Sequence, residues 1–445
     1  MDNILLQKVI IIDHPIKNLK NEFKEQYIEA LLAFVKGLLN NDNTARFICH
    51  EWCASILDTS YEEMKGRKID VNYEKVIKKG LALKRNGLSF FRMKHQFFFD
   101  VFYIIYMSNN NNQDRINAYK TVYSILKKKY SNFFISGALN NTYGYFMNLM
   151  NQKNEKGKPF TFNDNKIPSE LRMHYQKNAS IDINQYKKIL VVANVSAGKS
   201  TLINAIIGKR INESRTTACT NRLNYIYSSY NPGMTINNKG VYDFSGFNSY
   251  FKSDQFVIGA TDYKGILNEK VCIIDTPGIN NAEDQNHKAI TTKAIEDTKN
   301  YNVVIYVSNC QYFGTNDEKE LLTKLIKTTR TKNIPIIFVL NQLDKFKTKE
   351  DSIEKMLNEY ESDLIKMGVN NPVIIPVSSR YAMLLRTGAE DEDEEFELDL
   401  LKKKFEKDFF DLPKYIKSKI GNSYENRPDY RSGICSLESA IKRNV

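Results

Sequence analysis

The run Ser196-Ala197-Gly198-Lys199-Ser200-Thr201 puts a glycine, an ammonium and three hydroxyls into one short stretch. Such a turn suits a polyphosphate. Loop N–H groups can point at phosphate oxygens, and a helix starting there adds partial positive charge. Lys199 would reach the β- and γ-phosphates, and the Ser200 hydroxyl would ligate Mg²⁺. Asn194, Val195, Ser196, Ala197, Gly198 and Thr201 complete the candidate phosphate-binding set. The motif normally opens on a glycine, a place held here by Ala193.

Three further stretches follow in order. "VCIIDTPGI" ends a buried run at Asp275, whose carboxylate can hold Mg²⁺ through water, and Gly278 can offer its N–H to a γ-phosphate. "IPIIFVLNQLDKF" ends another run at Asn341, Gln342 and Asp344. Asp344 can accept from guanine N1–H and the exocyclic amine, a donor pair that adenine lacks. "VIIPVSSRYA" ends a third at Ser378, Ser379 and Arg380, where a backbone N–H can meet guanine O6. The expected ligands are therefore GTP or GDP with Mg²⁺.

These pieces need strands that end together. Short β-rich apolar runs at 188–193, 222–228, 271–274, 302–307, 334–340 and 372–377 alternate mostly with helix-like stretches. That alternation predicts an α/β domain over 187–445 around a mostly parallel central sheet, with ligands at the carboxyl ends of its strands. Residues 1–150 read as an all-α domain: Leu19, Phe23, Tyr27, Leu31, Val35 and Leu38 recur at helical spacing, and the aromatic segment Phe90–Met107 reads as bundle core. Residues 151–186 turn polar and read as a linker. The acidic run near 389–399 reads as a solvated insertion.

The 445 residues carry 42% hydrophobic and 26% charged side chains, ordinary for a globular protein. No apolar run reaches the ~20 residues that span a bilayer, and "MDNILLQKVIIIDHP" lacks signal-peptide features. The expectation is a cytoplasmic location, with a peripheral place at a membrane as the variant. The net charge of +12 reads as lysine-rich surface, and nucleic acid is not an expected partner. "CHEWC", with Cys49, His50 and Cys53, lacks a second ligand pair and reads as a helix with two half-buried thiols rather than a zinc site.

In order and form, Ser-Ala-Gly-Lys-Ser-Thr, Asp-Thr-Pro-Gly, Asn-Gln-Leu-Asp and Ser-Ser-Arg resemble the motifs of translation-factor-class GTPases. "SAGKSTLINAIIG" and "SRTTACTNRLNYI" look most like the bacterial branch of the dynamin superfamily, over about 187–385. Lys199 and Asp275 lie 76 residues apart, in keeping with an enlarged dynamin-type domain. The resemblance implies GTP hydrolysis and a G domain that pairs with a second copy. It gives Lys199 to the phosphates, and Ser200, Thr217 and Asp275 to Mg²⁺, with Thr216 and Thr220 competing for the switch role. Ser196 would help to hold K⁺ or Na⁺. Val195 and Ile279 depart from the pattern by offering no polar group to the attacking water. Gln342 stands where a lysine usually braces the phosphate loop, which predicts weaker nucleotide affinity. The alternative is a soluble switch or slowly hydrolysing scaffold whose helical domain binds a companion protein.

Overall fold

A computed structural model describes residues 14, 16–17, 19–39, 41–57, 59, 61–70, 72–81, 90–109, 111–129, 133–150, 167–173, 183–194, 196–212, 222–229, 233–235, 241–242, 256–267, 270–277, 285–296, 301–311, 313–346, 352–417 and 424–444. The chain divides into two compact units. One is Met1–Ile183 with Tyr230–Asp243; the other is Asn184–Ser229 with Phe244–Val445. Most of the expected linker, 151–166 and 174–182, lies outside the described residues.

The strands, in chain order, are β1 (Lys187–Ala193), β2 (Leu223–Ser228), β3 (Gly233–Thr235), β4 (Val241–Tyr242), β5 (Phe256–Thr261), β6 (Val271–Asp275), β7 (Val303–Asn309), β8 (Ile336–Asn341) and β9 (Val373–Pro376). β3 and β4 form an antiparallel pair within the first unit.

The rest of that unit is helical: α1 (Asn21–Leu38), α2 (Asn43–Leu57), α3 (Tyr61–Gly66), α4 (Tyr73–Leu81), α5 (Phe90–Ser108), α6 (Asn112–Lys129) and α7 (Phe133–Leu149). α1 buries Phe23, Tyr27, Leu31 and Val35, the stripe that its spacing predicts. In α5, Phe97, Phe98, Phe99, Phe102, Tyr103 and Ile105 are all buried, so this helix is core nearly all round. Asp100 in its middle is fully buried too. A carboxylate there needs partners, and it has His14 Nε2 at 2.9 Å, Gln96 Nε2 at 2.8 Å and the Tyr27 hydroxyl. Cys49 and Cys53, one turn apart on α2, are both fully buried rather than half-buried, because α2 packs against α1 and α5.

The second unit holds a sheet in the order β5-β2-β6-β1-β7-β8-β9. From β6 to β9 all neighbours run parallel; β2 is antiparallel to β6, and β5 is parallel to β2. β6 is buried throughout and β1 over its last five residues, as central strands covered on both faces must be. β5 has no counterpart among the runs picked out in the sequence, since Gly259 and Ala260 dilute its β-forming character. The helices here are α8 (Lys199–Ile207), α9 (Gln285–Glu296), α10 (Asn316–Lys332), α11 (Ile353–Lys366), α12 (Ser379–Thr387), α13 (Glu392–Phe405) and α14 (Ile434–Asn444).

The acidic run is the start of α13 and is mostly exposed. Asp391 caps the helix by accepting from Glu394 N, four acidic residues fill the first turn and three lysines the last. This charge order follows the helix dipole.

Candidate nucleotide-binding site

The phosphate-loop candidates sit between β1 and α8. Ser196 at φ 64° and Gly198 at φ 82° turn the chain through the left-handed region, and Gly198 is the N-cap of α8. A Cβ on Gly198 would stand 2.5 Å from Asn341 Nδ2, so the loop needs glycine there for space as well as for φ. Ser200 and Thr201 follow in the first turn of α8, whose far end closes at Gly208 with its N–H on Asn204 O, 2.7 Å away.

Lys199, the first residue of α8, meets Asp275 at the C-terminal end of β6. Both are buried, and the ammonium bonds the carboxylate directly. The second carboxylate oxygen accepts from Asn212 Nδ2 at 3.2 Å. Asn212 is itself fixed by Asn204, whose side chain accepts from the backbone N–H of Ile211 (3.1 Å) and Asn212 (2.9 Å) and donates to Asn212 O (2.8 Å). Among the described residues, Asn212 Oδ1 is a buried acceptor with no partner. A magnesium ion with its waters fits this set: hard oxygens on Ser200 and Asp275, and an orphan amide oxygen able to accept from a metal-bound water.

On the base side, Asn341 ties three segments together. Its Nδ2 donates to Ala197 O at 2.8 Å, and its Oδ1 accepts from Ser379 N at 3.1 Å and Ser379 Oγ at 2.6 Å. Gln342, at φ 67°, donates from Nε2 to Ser196 O at 2.6 Å. Gln342 thus reaches the phosphate loop through an amide hydrogen bond. Asn309 adds a longer bond to the same carbonyl, at 3.4 Å. Asp344 is held by Ser378 Oγ at 2.7 Å, while Ser378 also caps α12. Cys310 Sγ donates to Gln342 O at 3.2 Å, and burial pushes this thiol up to about 12, so it stays a neutral donor. The Arg380 side chain turns away to Glu397 and Glu394 on α13, at 2.5 and 3.0 Å.

Val195, Thr216, Thr217, Thr220, Gly278 and Ile279 lie outside the described residues. Asn194, Ser196, Ala197, Gly198, Lys199, Ser200, Thr201, Asp275, Asn341, Gln342, Asp344, Ser378, Ser379 and Arg380 all fall at or just beyond strand ends in the second unit.

Residues 189–343 match the model of the Dynamin family. Over this segment, about a third of its length, the chain is similar to the Dynamin family. Curated relatives of the domain include GTPase Era of Clostridium beijerinckii, 24% identical over 176 residues that cover 39% of this chain and 45% of the relative. Another is GTPase Der of Campylobacter hominis, 22% identical over 243 residues, 54% of this chain and 43% of the relative. The chain thus spans less than half the length of these two relatives. Among solved structures, Era in complex with MgGDPNP and nucleotides of 16S ribosomal RNA aligns with a TM-score of 0.29 at 17% identity, over 55% of this chain and 61% of that one. An oligomerised bacterial dynamin pair, described as sensing and tethering membranes, aligns with a TM-score of 0.37 at 12% identity, over 89% and 60%.

Several residues in and around the matched segment carry no signal in the sequence. Asn212 and Asn309 are single amides outside any motif. Arg210, just after α8, donates to Glu394 at 2.9 and 2.6 Å, to Gly388 O at 2.7 Å and to Thr387 Oγ1 at 3.2 Å. These bonds hold the Glu394 carboxyl at about 2, its hydrogen bond to Arg210 being the largest influence. Lys404, from the far end of α13, donates to Asp344 O and, at 3.1 Å, to Phe346 O.

Proposed function

We propose that the protein binds and hydrolyses GTP, with Lys199 on the β- and γ-phosphates, Ser200, Asp275 and Thr217 around Mg²⁺, and Asp344 reading guanine. The observation that supports this most is the set of bonds at Asn341. One side chain joins the phosphate loop, through Ala197 O, to Ser379 beside the guanine-reading turn. A nucleotide held by that loop would present its base to Asp344. Magnesium would supply charge neutralisation on the phosphates. The chain's own residues do the rest: loop N–H groups and Lys199 bind and orient the phosphates, and Asp344 excludes adenine.

We place pairing of two G domains in the same reading, with K⁺ or Na⁺ held near Ser196. Val195 and Ile279 give the water no polar side chain, and a supplied cation is worth ~10³–10⁵ in rate for related chemistry. The helical unit would bind a companion protein or a membrane surface; nucleic acid is left out, and RNA-stimulated turnover would bring it in. If turnover proves indifferent to protein concentration and to K⁺, the solitary switch or slow scaffold is the better reading.

The test is nucleotide choice. GTP and GDP should bind far more tightly than ATP, because buried acceptors left unpaired reject the wrong base strongly. Asp344→Asn should lose guanine and admit xanthine nucleotides, Lys199→Ala should lose turnover, and Thr217→Ala should keep GDP binding while turnover falls. Equal affinity for ATP and GTP in the native protein would sink the reading.

A further inference from the structure

The C-terminal part of the chain supplies a helix that grips the base-recognition turn from behind. Asp344 lies in the short turn Leu343–Lys345; Leu343 O accepts from Phe346 N, and the carbonyls after it need other donors. Lys404 provides one. Its ammonium bonds Asp344 O and Phe346 O, and it sits 4.6 Å over the Phe410 ring. Partial burial pushes this lysine below its usual range, while Asp344 opposes that fall.

α13 is anchored at both ends, so Lys404 is delivered from a fixed base. At the first turn Glu394 bonds both Arg210 and Arg380, and Glu397 adds a second grip on Arg380. At the last turn the Phe405 ring, 1% exposed, stacks on Tyr381 of α12 with centroids 4.4 Å apart. Arg431 closes the end by donating to Phe405 O at 3.0 Å and Glu406 O at 2.7 Å. Two of these partners, Arg380 and Tyr381, continue directly from Ser378 and Ser379, the serines that hold Asp344 and Asn341. Both ends of α13 therefore bear on the same recognition turn.

We infer that α13 is a clamp for guanine recognition, with Lys404 the positioning residue that sets Asp344. The inference rests on the GTP reading above. Lys404 meets the turn at its backbone carbonyls. Without it, Asp344 would lose its alignment to the base. GDP offers Asp344 two donors, and inosine diphosphate (IDP), lacking the exocyclic amine, offers one. A misplaced carboxylate therefore costs GDP more than IDP.

The experiment compares equilibrium binding of fluorescent GDP and IDP to the full chain in the native form, Lys404→Met and Lys404→Arg, with Lys404→Gln as a second removal should the methionine variant fail to fold. In the removal variant the GDP-to-IDP affinity ratio should contract by roughly tenfold, the scale of one charge-assisted hydrogen bond, and Lys404→Arg should recover most of it. A parallel fall in GDP and IDP, or no fall in either, would make Lys404 a structural residue only and overturn the clamp. A native protein that fails to prefer GDP to IDP would remove the guanine reading itself, and the clamp with it.

Discussion

Gln342 illustrates how much one side chain can change a reading. From its type alone it marks a lost brace, since a long cation is replaced by a shorter neutral amide. In place, it still reaches Ser196 O at 2.6 Å, because its own backbone sits in the left-handed region and tips the side chain over the loop. A neutral hydrogen bond of this kind contributes about 0.5–1.5 kcal/mol. Gln342→Ala should therefore speed GDP release by roughly two- to tenfold, and Gln342→Lys should leave it close to native, as read by stopped-flow displacement of labelled GDP. No change in the alanine variant would mean that Asn309 carries the carbonyl alone. The residues legible in the sequence are those that end strands. Lys199, Asp275, Asn341 and Asp344 each follow a buried run, and the fold brings such ends together whatever lies between them. Asn212 was not legible. Its place beside Asp275 depends on Asn204 turning the chain just past α8, and neither amide stands in a pattern.

At the scale of elements, the mostly parallel sheet was readable because its central strands are continuous apolar runs, and α1 and α5 because their apolar spacing is regular. α13 was not. Acidic composition gives a solvated surface and a helix N-terminus the same appearance; only the cap at Asp391, the lysines at the other end and the arginines facing Glu394 separate them. The ionisation of Glu394 gives a test. Its folded value of about 2 lies below the 4.5 expected of an unperturbed glutamate. Its contribution is therefore fully present above that unperturbed value, and is lost as pH falls toward the folded one. The melting temperature of Glu394→Gln should fall short of native by a constant margin between pH 6 and 8. That margin should narrow steadily as pH drops from about 4.5 to 3. A margin independent of pH across that range would show that the glutamine disturbs packing rather than the ion pair.

At the scale of the molecule, Arg386 joins parts of the second unit that are distant in sequence. From α12 it bonds Glu438 on α14 at 2.8 and 2.9 Å, Asp429 at 2.6 Å, and the carbonyls of Ala205 (2.7 Å) and Ile206 (3.3 Å) at the end of the phosphate-loop helix. All three ionised groups are almost wholly inside. Burial alone would raise the Asp429 carboxyl, but Arg427 and Arg386 outweigh it and hold it at about 2. Removing the central cation strands two buried carboxylates, a loss of about 3–5 kcal/mol where one partner of a buried pair is deleted. Arg386→Met should lower the denaturant midpoint of the unit by an amount on that scale and loosen GDP, because α8 loses its C-terminal support. A midpoint within error of native would show that Arg427 alone suffices for Asp429 and that the backbone N–H of Ile266 suffices for Glu438. None of this was legible beforehand, since buried ion triads leave no periodic mark.

The path of the chain between the two units has a practical consequence. The helical unit is not a simple prefix: after β2 the chain returns to it for Tyr230–Asp243 before coming back to build β5. The units are thus stitched together by three covalent crossings. A protein shortened to begin at residue 184 would keep that excursion but not the helices it belongs with, and β3 and β4 would be left as an orphaned loop. Separating the units cleanly calls for three cuts and a splice that joins residue 229 to residue 244. A protease that nicks the polar stretch before residue 184 should yield pieces that still travel together through a sizing column.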